Sequence, residues 1–181
     1  MTESTPKQPN NLLTVFTVGH SNHTLESFIE ILKAHGITEV IDIRTVPRSR
    51  HNPQFNRESL PLSLKEVGIQ YRHAAGLGGL RHPREDSPNT GWHNASFRGF
   101  ADYMQTAKFE ESMQMLIQQA QGERVALMCA EAVPWRCHRS LIADALVVRG
   151  IQVEHIISKT HRQPHRFTQW AKTDGTNIIY H

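Results

Sequence analysis

The stretch LLTVFTVGHSNHTLESFIEILKAHGITEVIDIR, residues 12–44, decides the fold. Its first part, Leu12 to Val18, is apolar and β-branched and stops at Gly19-His20-Ser21, the pattern of a buried strand running into a polar loop. Asn22 or Thr24 can cap a helix in which Leu25, Phe28, Ile29 and Leu32 recur at the 3.6-residue period until Gly36 stops it. Glu39-Val40-Ile41-Asp42-Ile43-Arg44 then reads as a second short strand. Strand, helix and strand in this order form a βαβ unit, which predicts two parallel, neighbouring strands joined by a right-handed crossover.

The alternation continues along the chain. Residues 58–67 read as a helix with Pro61 in its first turn or at a kink, and Ile69 to His73 as a weaker strand. The Gly- and Pro-rich segment from Leu77 to Ser96 reads as a long loop. Helices follow over 97–106 and 109–121, then a strand at 124–129, a helix at 137–149 and a strand at 152–157. The expected fold class is therefore α/β: a single domain built on an open, mostly parallel sheet of about five strands with helices on both faces. At 181 residues the chain suits one core. Residues 1–11 are expected to be a disordered segment, 12–157 the domain, and 158–181 a basic tail in which Phe167 and Trp170 interleave with Lys159, Arg162, Arg166 and Lys172.

Composition narrows the function classes. Apolar residues make up 38% and charged residues 20%, which excludes a collagenous or wholly disordered chain. No apolar run reaches the roughly 20 residues of a membrane helix, and the polar start lacks the apolar core of a secretory signal, so a cytoplasmic protein without a membrane partner is expected. Two cysteines are too few for a disulfide scaffold and read as thiols. Of the 20 basic residues 14 are arginines, concentrated in loops between Arg44 and Arg57 and between Arg72 and Arg98. Guanidinium groups there suit phosphate or carboxylate recognition, or a solvated basic surface.

In open parallel sheets ligands bind beyond the carboxyl ends of the strands. Those ends carry His20 and Ser21, Asp42 and Arg44, His73, Cys129 and Glu131, and His155. The richest stretch is Cys129-Ala130-Glu131-Ala132-Val133-Pro134-Trp135-Arg136-Cys137-His138-Arg139, running from a strand into a helix whose unpaired N–H groups favour anions. Three readings fit it. A thiolate of Cys129 or Cys137 acts as nucleophile, with its pKa lowered by Arg136 or Arg139 and with His20, His138 or His155 handling the proton. Alternatively Cys129 and Cys137, with His20, His138 or Glu131, bind zinc or iron, although seven intervening residues are not a zinc-finger spacing. In the third reading both cysteines are small buried hydrophobes and the arginines only hold the loop. Asp42 and Arg44, two apart on one strand face, either pair with each other or serve a ligand.

Taken together, Gly19-His20-Ser21, Asp42-x-Arg44-x-x-Pro47-x-Ser49, Leu77-Gly78-Gly79 and Cys129-x-Glu131 followed by Cys137-His138-Arg139 resemble the bacterial and archaeal family catalogued as domain of unknown function 488, over about residues 14–157. The resemblance implies a compact α/β domain and brings no settled activity, substrate or cofactor. The expectation from the residues is a thiol-dependent enzyme or enzyme-like domain that binds an anionic, phosphate-containing ligand. In that expectation Cys129, Cys137, His20 and Glu131 carry the chemistry, and Ser21, Asp42, Arg44, Arg48, Ser49, Arg136, His138 and Arg139 hold the ligand. The alternatives are a nucleic-acid-binding module using the arginine-rich loops and a Cys/His metal protein. The sequence names no cofactor, and neither the metal nor the oligomeric state can be read from it.

Overall fold

The structure is a computed structural model that describes residues 12–181; the segment 1–11, expected to be disordered, lies outside the described residues. The elements run in chain order β1 (Thr14–Gly19), α1 (Leu25–Ala34), β2 (Glu39–Asp42), α2 (Leu60–Glu66), β3 (Gln70–His73), α3 (Ala95–Tyr103), α4 (Ala107–Gly122), β4 (Val125–Cys129), α5 (Arg139–Val147) and β5 (Gln152–Ile156). After these come β6 (Arg162–Pro164), β7 (Ala171–Asp174) and β8 (Asn177–Tyr180). The main sheet has six strands in the order β3-β2-β4-β1-β5-β6. Its first five are parallel, and β6 joins the edge antiparallel to β5. Strands β7 and β8 make a separate hairpin. The fold is thus α/β, one domain on a mostly parallel sheet.

Strand neighbourhood departs from the expectation of adjacent first and second strands. Strand β4 lies between them, paired with β1 through Phe16↔Ala126 and with β2 through Val40↔Ala126. The physical reason lies in burial: β4 is buried at all five positions and takes the middle of the sheet, where both its faces are covered. A βαβ pattern fixes direction and handedness but leaves room for a later strand to enter.

Alternation along the strands divides the core into two layers. Phe16, Val18, Val40, Ala126 and Met128 face α1 and α2, where Phe28, Leu32, Leu60 and Leu64 meet them. Val15, Ile41, Leu127 and Cys129 face the other way, toward Phe100 of α3, Met113 and Leu116 of α4 and Leu141 and Ile142 of α5. This parity points Cys129 into the layer that holds α5. Thr24, Asn94 and Thr106 cap α1, α3 and α4 through their side-chain oxygens.

Helix α5 begins two residues later than its apolar periodicity suggests. Pro134–Arg136 forms a separate turn of 3-10 helix, closed by Cys137 N–H donating to the Pro134 carbonyl at 3.1 Å. Cys137 itself is extended, at φ −133° and ψ 147°, so it precedes the helix instead of sitting in its first turn. Residues 158–181 are tied to the domain. Beyond the edge strand β6, Trp170 meets Trp92 at 5.3 Å between centroids, and the buried Tyr180 donates its hydroxyl to Asp144 of α5 at 2.9 Å. None of the described helices is long and apolar enough to cross a membrane.

Candidate functional site

The site begins with close backbone approaches. The ladder between β1 and β4 continues past both strands, with His20 N–H donating to the Cys129 carbonyl at 2.9 Å and Ser21 N–H to that of Ala130 at 3.0 Å. The loop after β4 then folds across the end of β1 so closely that a Cβ on Gly19 would stand 1.8 Å from the Glu131 carbonyl oxygen. A Cβ on Gly79 would fall 2.5 Å from Nδ1 of His138. Gly19 thus seats the Cys129 loop against the end of β1, and Gly79 seats the Leu77-Gly78-Gly79 loop against His138 at the start of α5. The close approach they allow is to the protein's own atoms.

Cys129 and Cys137 are both free and buried, 3% and 5% exposed, with Cys137 donating to Cys129 across 2.9 Å between the sulfurs. The first amide of α5, Arg139 N–H, points at Cys137 Sγ from 3.5 Å. The Glu131 carbonyl is 3.6 Å from Cys129 Sγ. His138 lies alongside. Its Nε2 proton is shared between the carbonyls of Leu77 at 2.8 Å and Ile43 at 3.1 Å, which leaves Nδ1 as an acceptor 3.5 Å from Cys137 Sγ. Burial pushes the His138 pKa down to about 4, the two carbonyl contacts notwithstanding. The ring is therefore neutral at ordinary pH.

The two thiols are electrostatically unlike. Burial works to raise the Cys129 pKa, but the hydrogen bond from Cys137 and the charge of Arg139 outweigh it and lower the value below that of an ordinary thiol. Cys137 is driven the other way, first because it donates to Cys129 and then by its own burial. Arg139 is 1% exposed and forms no salt bridge among the described residues. One of its amino groups donates to the Ala132 carbonyl at 3.0 Å, while Nε and Nη1 are buried without a partner. A guanidinium in that condition is costly unless a negative charge lies beside it.

A cavity of about 380 Å³ opens over the pair. Among the residues expected at the site it is lined by Cys129, Cys137, Glu131, Arg44, Arg136 and His138. Arg139, although expected to hold the ligand, does not line it. Arg44 is already paired: its Nε and Nη2 donate to the Asp42 carboxylate at 2.9 and 2.7 Å, and Nη2 also reaches the Phe55 carbonyl at 2.7 Å. Tyr71 adds a 2.6 Å hydrogen bond to the same fully buried carboxylate. His20 is placed by this pair. It stacks on Phe55 at 4.4 Å, donates from Nδ1 to the Ser21 carbonyl at 2.8 Å and accepts at Nε2 from Arg44 at 3.3 Å. Ser21, at φ 47°, reaches Asn22 with its hydroxyl at 3.4 Å. Arg48 is exposed and pairs with Glu58 at 3.5 Å, and Ser49 organises a turn with Asn52 and Asn56. His20, Ser21, Asp42, Arg48 and Ser49 do not line the cavity.

Gly79 of the Leu77-Gly78-Gly79 motif also lines it, together with Thr45, Asn94, Ser96 and Phe97, which sequence reasoning passed over as site residues. One signal was present: Asn94 stands where an N-cap belongs, and its side chain accepts from Ser96 N–H at 2.9 Å and Phe97 N–H at 3.2 Å. The metal reading lacks a ligand set, since no group of three or more His, Cys, Asp and Glu side chains among the described residues is arranged to hold an ion.

Fold and site define an α/β domain with a buried dithiol at the carboxyl edge of its parallel sheet. The chain belongs to the family described as domain of unknown function DUF488, which it matches over residues 24–146, a span that includes both cysteines and Arg139. No curated protein and no solved structure matches it.

Proposed function

We propose that this domain is a thiol-dependent enzyme whose nucleophile is Cys129 and whose ligand is a small anion carrying a phosphate or similar group. One observation carries the reading: a fully buried arginine without a carboxylate partner stands beside two thiols, one of which is lowered toward its thiolate. Arg139 holds the negative charge on Cys129, and Cys137 donates to it. Arg136, exposed at the cavity and without a salt bridge among the described residues, meets the ligand's charge. Arg44 adds shape more than charge because Asp42 neutralises it. Neutral His138 accepts a proton at Nδ1. Glu131 lines the same cavity.

Alkylation with iodoacetamide as a function of pH tests this. Cys129 is expected to react below the ordinary thiol range of about pH 8.5, Cys137 to lag behind it, and inorganic phosphate to slow the modification of Cys129. Reaction of both thiols only above that range contradicts the reading.

A second reading, binding of single-stranded nucleic acid, is favoured by a separate cavity of about 530 Å³ lined by Trp92, Trp135, Trp170 and Arg166, in which Trp135 is 62% and Trp170 46% exposed. Exposed indoles beside a cation suit stacked bases. It predicts salt-dependent binding of an oligonucleotide that survives Cys129→Ser and weakens when Arg166 is neutralised.

A further inference from the structure

We infer that Cys129 and Cys137 are a nucleophile and its resolving partner, so that the site reduces a small hydroperoxide and closes to an intramolecular disulfide. The inference rests on the reading of Cys129 as the ionising thiol and adds to Cys137, which donates to it, a covalent role. Its basis is geometric. The sulfurs are 2.9 Å apart, against ~2.05 Å in a disulfide, and they are carried by segments that need not unfold to meet. Cys129 ends a strand, and Cys137 sits in the extended linker between the 3-10 turn and α5. Both line the same cavity, yet each is almost wholly covered. That covering admits a small oxidant and excludes a disulfide borne by another protein.

The chemistry balances with groups in place. The Cys129 thiolate attacks the distal oxygen of the hydroperoxide, and a sulfur–oxygen bond forms as the oxygen–oxygen bond breaks. The alkoxide departs with the electron pair and takes a proton from water. Cys129 is now a sulfenic acid, oxidised by two electrons, and the hydroperoxide is reduced to an alcohol. Cys137 then gives its proton to Nδ1 of His138, 3.5 Å away, as its sulfur attacks that of Cys129. The sulfur–sulfur bond forms, the sulfur–oxygen bond breaks, and hydroxide leaves, recovering the proton from His138 as water. An external dithiol restores the pair. The charge of Arg139 stabilises the thiolate, while its first-turn amide addresses Cys137.

The test uses the full, reduced chain and hydrogen peroxide, followed by mass spectrometry and thiol counting. One equivalent of peroxide is expected to consume both thiols and leave the protein lighter by two hydrogens, reversibly with dithiothreitol. Cys137→Ser is expected to stop one oxygen heavier, at a sulfenic acid trapped by dimedone, and Cys129→Ser to leave Cys137 unreacted. Steady consumption of peroxide with dithiothreitol as reductant should be lost in Cys129→Ser. Over-oxidation of Cys129 in the unmodified protein without disulfide formation overturns the inference. If Cys129 meanwhile still alkylates at low pH, the thiolate reading stands and only the resolving role falls. If it alkylates only in the ordinary range, both fall. The unmodified protein alone decides these last outcomes, so they hold even where a serine variant fails to fold.

Discussion

Arg139 is the residue on which the site's electrostatics turn. A guanidinium removed from water is tolerated when an opposite charge is close, and the Cys129 sulfur is the group lowered in its pKa by that neighbour. Replacing it with Met, of similar volume, removes the charge without opening a cavity. Arg139→Met is expected to raise the pH at which Cys129 alkylates. An unchanged alkylation profile would separate Arg139 from the thiol. The adjacency itself was legible in the sequence, where Cys137-His138-Arg139 follows a proline turn. What could not be read there is which arginines are free: Arg44 and Arg139 look alike in a string, and only burial and the Asp42 carboxylate show that the first is neutralised and the second is not.

At the scale of elements, α5 joins the thiol site to the C-terminal segment. Its start presents Arg139 to the sulfurs, and one turn further on Asp144 accepts from His165 at 2.7 Å, from the Thr168 amide at 3.1 Å and from the Tyr180 hydroxyl. His165 in turn meets His155 at 2.9 Å, and His155 meets Thr17 at 2.6 Å. Asp144→Ala strands these donors and should cost ~2–4 kcal/mol, read as a lower urea midpoint together with a change in Trp170 fluorescence as the hairpin loosens. A midpoint equal to that of the parent would show that the segment is held otherwise. The helices and strands were legible from periodicity to within a few residues, and the main error was positional. Entry of β4 between β1 and β2 depends on which strand is most apolar on both faces, and a local βαβ pattern does not encode that comparison. The register of the tail was equally hidden, because Asp144 and Tyr180 are 36 residues apart.

At the scale of the whole molecule, two buried imidazoles, those of His138 and His155, stay neutral. Burial lowers His138 to about 4 and, with His165 nearby, lowers His155 to about 3. The ordinary histidine value is about 6.5. As pH falls through that value the unfolded chain gains protons that the folded chain refuses until about 4 for His138 and about 3 for His155. Stability is therefore full above the unfolded value and falls with acidification through that window, by on the order of 1 kcal/mol per pH unit for each ring. Urea midpoints measured from pH 7.5 down to 4.5 should decline beginning near about pH 6.5, before ordinary carboxylates titrate. A flat profile across that range would mean that the two rings are solvated.

The central claim is a division of charge between two touching sulfurs, and thiolate absorbance in the ultraviolet, followed against pH, measures it directly. The account predicts one thiolate appearing below the ordinary thiol range, absent from Cys129→Ser and retained in Cys137→Ser, with the second sulfur ionising well above that range. A single transition of two thiolates at the ordinary value would contradict it.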